Sequence, residues 1–322
     1  MKKILVCGGS GFIGQNIVNY FASKNYKIFA TYNTKKPKNT LGAKWIKVDL
    51  TSLKKIRKII KKTDIIIQCA AVTAGSKKMV NQPFLFVGDN VTMNSLLMRE
   101  AVLNKVRHFI FLSCSVMYHH SKKNLKEINY DPRKKLHHVY EGMALTKVYI
   151  ENMCKFYANR SKTKFSAIRH TNIYGPHDKF ENSNGHFMSS IISKALKSKK
   201  YLRVWGNGSA IRDFIYSSDV AKGMTIALYK NKKIPINLGS GIGVSIKTIA
   251  EVIANSVPNG PLKIKWDKSK PSGDKIRLMN INKAKKMGFK PNIDIVTGIK
   301  RTIHWYVNSK KSKRYNAFTE KF

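Results

Sequence analysis

Lys3-Ile4-Leu5-Val6-Cys7-Gly8-Gly9-Ser10-Gly11-Phe12-Ile13-Gly14 opens a chain of 322 residues and decides how the rest is read. An apolar run ends abruptly in glycines spaced Gly8-x-x-Gly11-x-x-Gly14, and helical periodicity follows. A strand, a glycine turn and a helix in that order predict a dinucleotide-binding βα unit. One glycine makes the tight turn, one lets the backbone approach a pyrophosphate, and one lets the helix lie close on the strand. The pyrophosphate then meets the positive end of the helix. Gly8, Ser10, Gly11, Phe12, Ile13 and Gly14 are therefore the expected cofactor cradle.

Outward from this turn, β-rich runs at 3–7, 27–32, 44–48, 64–69, 108–113 and 164–169 alternate with helical stretches such as 14–23 and 95–103. Ile65-Ile66-Ile67 and Phe109-Ile110-Phe111-Leu112 are continuously apolar, as strands covered on both faces of a parallel sheet should be. The pattern predicts an α/β fold: a Rossmann-type doubly wound parallel sheet with a smaller α/β substrate-binding lobe. The division expected is a dinucleotide domain at 1–170 with a returning segment at about 214–243, and a lobe from 171–213 and 244–309. Helices near 186–197, 246–254 and 296–308 and a strand at 234–238 belong to that irregular second part. Residues 310–322 read as a basic tail.

The composition excludes several classes. Apolar residues make up 43% of the chain and charged residues 24%, which rules out disordered and fibrous architectures. The apolar start is cut off at Gly8-Gly9, too short for a secretory leader, and no run is long enough to span a bilayer. Cys7, Cys69, Cys114 and Cys154 lie far apart, fitting neither a disulfide framework nor a zinc site. A cytoplasmic protein with no metal is expected. The 61 basic residues outnumber the 17 acidic ones, for a net charge of +44. Lysines are spread through every segment without a zinc-finger or RNP-type motif, which speaks for anionic small-molecule substrates rather than a specific nucleic-acid site. A diffuse surface effect on a membrane or polyanion stays open.

The end of the second strand separates NAD from NADP. An acidic residue there would bind the ribose hydroxyls of NAD. This chain has Thr31-Tyr32-Asn33-Thr34-Lys35-Lys36, where Asn33, Lys35 and Lys36 would welcome a 2′-phosphate. NADP is expected, with NAD as the alternative. Asp49 and Leu50 after the third strand, and Ala70 and Ala71 after the fourth, should line the adenine and pyrophosphate sides.

Further along come Thr171-Asn172-Ile173-Tyr174-Gly175-Pro176-His177-Asp178, Ser183-Asn184-Gly185-His186 and Val204-Trp205-Gly206-Asn207-Gly208. Arg212-Asp213-Phe214 with Asp219, Lys270-Pro271-Ser272-Gly273 and a last helix around Trp305 complete the set. With these residues the chain resembles, over nearly its whole length, the extended short-chain dehydrogenases/reductases that modify nucleotide sugars, most of all the GDP-L-fucose synthase branch. The resemblance implies that Asn172 and Arg212 hold a nucleotide-sugar diphosphate, with Arg277 a further phosphate contact. It also puts Trp205, Lys194 and His186 on the substrate side, and implies a homodimer built on a helix at 143–159. Arginine suits such a diphosphate because its planar guanidinium bonds two oxygens at once.

The family's chemistry uses a Tyr and a Lys four residues apart, with a Ser or Thr after the fifth strand. The Lys lowers the phenol's pKa so that it can exchange a proton with the sugar as hydride moves. Here Lys147 is present and should anchor the nicotinamide ribose, but Met143 stands at the Tyr position, and a thioether carries no proton. The hydroxyl position is Cys114, with Ser115 beside it. His186 matches an epimerising His, whereas its partner Cys is replaced by Val116. Three readings follow. The chain is a reductase or epimerase of a GDP-4-keto-sugar with protons handled by Tyr140, Cys114, Ser115 or water; or it is a dehydratase of the Met-x-x-x-Lys type, with Glu141 as nearest base; or it binds NADP or a sugar nucleotide without turnover.

Overall fold

A computed structural model describes residues 1–37, 42–73, 81–136, 138–180, 185–230, 235–269 and 275–311. Strand β1 (Lys2–Cys7) runs into the glycine turn, and helix α1 (Phe12–Ala22) returns the chain to β2 (Tyr26–Tyr32). The alternation continues through β3 (Ala43–Lys47), α2 (Leu53–Ile60), β4 (Ile65–Gln68), α3 (Gly88–Leu103), β5 (His108–Cys114), α4 (Glu141–Arg160) and β6 (Lys164–His170). These strands and β10 (Ile236–Leu238) form a seven-stranded sheet in the order β10-β6-β5-β4-β1-β2-β3, each neighbouring pair parallel.

Continuous apolar runs are needed because the sheet is covered twice. Ile4, Val6, Ile65, Ile67, Ile110 and Leu112 pack into one cluster with Phe12, Ile17 and Phe21 of α1 and Val220 and Met224 of the helix α6 (Ser217–Lys230). Leu5, Cys7, Ile66, Phe109 and Phe111 point the other way, onto Ile56 of α2, Leu97 of α3 and Ile150 and Cys154 of α4. Adjacent residues of one strand thus serve opposite layers, as the two-residue repeat of a strand requires.

The second part of the chain contributes β7 (Asn172–Tyr174), α5 (Phe187–Lys197), β8 (Tyr201–Trp205), β9 (Ile211–Tyr216), β11 (Gly243–Ser245), α7 (Ile246–Ser256), β12 (Lys263–Asp267), β13 (Ile276–Arg277) and α8 (Ile295–Lys311). Strand β9 pairs with β7, β11 and β13, while β12 pairs with β8. Their core joins Ile191 and Ile192 of α5, Ile249 and Ile253 of α7, and Ile299 and Ile303 of α8.

Most expected elements form, with shifted ends. Helix α3 starts at Gly88, well before the expected 95, and α8 continues through Lys311 into what was read as tail. The strands β7, β8, β9, β11, β12 and β13 are not expected from the sequence, because polar residues break most of them up and no apolar run marks them as Ile65-Ile66-Ile67 marks β4. Residues 312–322, His137, Ser183-Asn184, Ile234 and the Lys270-Pro271-Ser272-Gly273 stretch lie outside the described residues. Among the described residues no helix is long and apolar enough to cross a membrane.

Candidate active site

The glycine turn lies at the carboxyl edge of the sheet, where β1 gives way to α1. Gly8 has φ +72°, and a Cβ there would stand 2.5 Å from the Ala70 Cα. A Cβ on Gly14 would overlap the Gly8 carbonyl oxygen, so β1 and α1 approach as closely as backbones can. The turn is tied by Gly11 N–H to the Gly8 carbonyl (3.0 Å) and by Gly8 N–H to Thr31 Oγ1 (2.9 Å). Helix α1 begins at Gly11 with no side-chain cap, which leaves the first-turn amides of Phe12 and Ile13 for an external anion. The residues present fit a dinucleotide: a close-approach glycine, a neighbouring alanine and an uncapped helix start. Ser10 sits within the turn, its N–H donating to the Thr31 carbonyl and its carbonyl accepting from Gln15.

Around this cradle, Asn33, Lys35 and Lys36 are exposed at the end of β2. Asp49 follows β3, and its carboxylate accepts from the Thr51 N–H (3.0 Å) and hydroxyl (2.7 Å), which holds it below the usual carboxylate range. Both of these bonds go to Oδ1. Leu50 is buried, Ala70 abuts Gly8, and Ala71 is exposed beside it.

Helix α4 brings the catalytic candidates to the same edge. Lys147 Nζ donates to the Leu112 carbonyl at 2.9 Å and lies 4.6 Å above the Phe111 ring. Burial lowers its pKa, opposed by Cys114, Glu151 and Cys69. The Cys114 thiol, at the end of β5, is pushed up by burial and partly drawn back by Lys147. Met143 is buried, as is Ser115. Met143, Lys147 and Glu151 follow at four-residue intervals on one face of α4, so the missing phenol would have stood over the retained ammonium. Glu151 is held by Arg169 through Nη2 (2.6 Å) and Nε (3.0 Å), and both residues are buried. Arg169 Nη1 also donates to the Tyr118 hydroxyl (2.7 Å), which donates to Asn237 Oδ1 (2.8 Å). This network fixes the floor beneath Lys147 and leaves the Glu151 carboxylate no role as a free base. Glu141, the nearest candidate base by sequence, is exposed at the start of α4.

The residues expected on the substrate side come from the second part of the chain. Arg212 and Arg277 are register partners on β9 and β13, which sets two guanidiniums on neighbouring strands. Asn172, on β7, donates its carboxamide to the Asp213 carbonyl at 2.9 Å. Arg277 lies against the Tyr140 ring (5.3 Å) and within electrostatic reach of Cys114. With Ser115, His119 and His120 it also lines a small cavity of about 10 Å³, room for about one water. Lys194 of α5 lies over the Trp205 ring of β8 at 5.2 Å, so these two candidates act on each other. Asp213 and Asp219 are structural: one accepts from Ser240 and Gly241, the other from the Asn292 and Ile293 amides.

His186 closes the cleft beside the cofactor turn. Its Nδ1 lies 2.8 Å from Asp178 Oδ1, and its ring is 6.0 Å from that of Phe12. His170 is a group the sequence pattern does not single out. It stands at the end of β6 in register with Cys114, within electrostatic reach of Lys147 and His186. Its Nδ1 must donate to the Thr171 carbonyl (2.7 Å), and burial depresses its pKa to about 4. The signal available was its place directly before Thr171-Asn172, one residue past a strand that reads as ending at 169.

A glycine-turn dinucleotide cradle beside a buried Lys147 and a lobe with paired arginines defines a nicotinamide-dependent enzyme of the epimerase/dehydratase kind. Residues 4–239 match the NAD dependent epimerase/dehydratase family, and the chain belongs to it. It is 29% identical over 321 residues to a GDP-L-colitose synthase of Yersinia pseudotuberculosis, covering 96% of this chain and 99% of the relative. It is 26% identical to a GDP-L-fucose synthase of Sinorhizobium fredii, covering 96% of each chain. Among solved structures, the UDP-glucose 4-epimerase of Thermotoga maritima with UDP-glucose superposes with a TM-score of 0.84 at 20% identity, covering 96% and 99%.

Proposed function

We propose that the chain is an NADP-dependent reductase or epimerase of a GDP-linked 4-keto-sugar, with a rebuilt proton path. The observation that supports this reading is that His186, bonded to Asp178, lies 6.0 Å from Phe12 at the open α1 terminus, while His170 is within electrostatic reach of both His186 and Lys147. The GDP-sugar relatives support the base, although a UDP-sugar enzyme shares the fold. The exposed Asn33, Lys35 and Lys36, with no acid at the end of β2, support NADP over NAD.

In this reading Gly8, Ser10, Gly11, Phe12, Ile13, Gly14, Ala70 and Ala71 receive the dinucleotide, and Lys147 anchors its nicotinamide ribose. When bound, the cofactor supplies or accepts the hydride. Asn172, Arg212 and Arg277 hold the diphosphate, with Lys194 and Trp205 as a flanking cation–aromatic pair. Residues 1–170 with 214–243 form the cofactor domain, and 171–213 with 244–309 the sugar-nucleotide lobe. A homodimer would form through α4, whose Leu145, Tyr149 and Phe156 are exposed large hydrophobics. Four free cysteines suit the reducing cytoplasm.

Met143 favours one second reading, dehydration of an unreduced sugar nucleotide by a Met-x-x-x-Lys site. The test is absorbance at 340 nm with NADPH and GDP-4-keto-6-deoxymannose against a no-enzyme control. Stoichiometric NADPH loss supports ketoreduction; a flat trace with tight NADPH binding rejects it and turns attention to dehydration.

A further inference from the structure

Met143 leaves Lys147 without a phenol four residues before it, and several described groups beside Lys147 are poor proton donors. The Lys147 ammonium is engaged by the Leu112 carbonyl. The Cys69 and Cys114 thiols are pushed up by burial. Neutral His170 offers a lone pair at Nε2, because its Nδ1 hydrogen is given to the Thr171 carbonyl. On the cofactor-turn side of His170 stands a second imidazole, His186, whose side chain is 52% exposed.

His186 is held in an unusual way. Gly175-Pro176-His177-Asp178 is a tight turn in which His177 adopts φ +70°, a conformation rare outside glycine. That turn buries Asp178 and directs its carboxylate at the start of α5. Oδ1 accepts from His186 Nδ1 (2.8 Å) and from the Lys179 amide (2.7 Å). Oδ2 is buried and accepts no hydrogen bond from a described residue. A carboxylate needed only to tie its own loop would be satisfied by the Lys179 amide. A buried carboxylate aimed at a half-exposed imidazole instead fixes which ring nitrogen carries hydrogen, since only Nδ1–H can donate to it.

We propose that Asp178 is a positioning residue that holds His186 as the Nδ1-bonded imidazole, so that Nε2 exchanges the proton which residue 143 cannot supply. The proposal rests on the ketoreductase reading. In that direction the sugar carbonyl carbon gains a hydride from the reduced nicotinamide, and the π electrons move to oxygen. The oxygen takes the proton from His186 Nε2–H, the imidazolium becomes neutral imidazole, and solvent restores the proton. Asp178 keeps its charge throughout and stabilises the imidazolium.

Two-bond ¹H–¹⁵N spectra of the full chain labelled in histidine test the geometry without any substrate, with His186→Asn assigning the resonance. The neutral wild-type ring is expected as the Nδ1–H tautomer. Asp178→Ala should move it toward the Nε2–H tautomer, and Asp178→Asn, which retains an acceptor oxygen, should restore it. Turnover of the keto-sugar should fall about 100-fold in Asp178→Ala, while NADP affinity stays within twofold. A wild-type Nε2–H tautomer overturns the proposal even if Asp178→Ala fails to fold. An unmoved tautomer or unchanged turnover in a folded Asp178→Ala overturns it too. Absence of ketoreduction in the wild type, with the tautomer as expected, sinks the functional reading and leaves the positioning role standing.

Discussion

The glycine turn at 8–14 and the helix α4 face one cleft, but they are built on different principles. In the turn the backbone is the proposed binding surface, and Gly8 and Gly14 have no room for any side chain. In α4 the backbone is only a scaffold, and what matters is the set of side chains spaced along one face, Met143, Lys147 and Glu151. Two of those three are fastened, Lys147 to the Leu112 carbonyl and Glu151 to Arg169, whereas Met143 contributes packing. A surface made of backbone has no substitute. A proton can be delivered by any correctly placed donor, so the tyrosine can go while the turn cannot.

The largest effect is expected at the floor beneath α4. Arg169→Met leaves the buried Glu151 carboxylate unpaired, and urea unfolding should show a loss of about 3–5 kcal/mol. A loss below about 1 kcal/mol would mean that water reaches Glu151 and that the floor is not rigid. The next effect is general to the sheet. His108 is buried beside Ser166 and depressed to about 4 by desolvation, below its unfolded value of 6.5. The unfolded chain therefore binds the extra proton between those values. Stability contributed by the neutral ring is full above 6.5 and is lost as pH falls toward 4, on the order of 3 kcal/mol. His108→Gln should flatten that slope in urea unfolding between pH 7.5 and 4.5.

On the side of the turn, Gly8→Val should weaken dinucleotide binding about 100-fold, equivalent to about 2.7 kcal/mol, read by fluorescence titration with NADPH. Affinity within threefold of wild type would show that the cradle lies elsewhere. The smallest expected effect is on the helix. Met143→Tyr restores the phenol over Lys147 and should raise ketoreduction about tenfold, at a stability cost of about 1–3 kcal/mol for overpacking a buried site. Unchanged or abolished turnover in a folded variant would show that the chain is not an impaired member of the tyrosine-dependent reductases.

Much of this molecule is legible along the chain because its causes are local. A turn that needs three glycines announces itself in seven residues, and a sheet buried on both faces announces itself in unbroken apolar runs such as Ile65-Ile66-Ile67. Loss of the phenol is equally plain from Met143 and Lys147, since four residues along a helix make one face. Other facts depend on residues distant in the chain and close in space. Arg169 and Glu151 carry no sign of each other until β6 and α4 meet, and Arg212 joins Arg277 only because β13 pairs with β9. His170 and Asp178 gain their chemistry from a sheet register and a left-handed turn. Local sterics and periodicity write the cofactor half into the sequence, whereas long-range packing alone decides which polar groups remain free to move a proton.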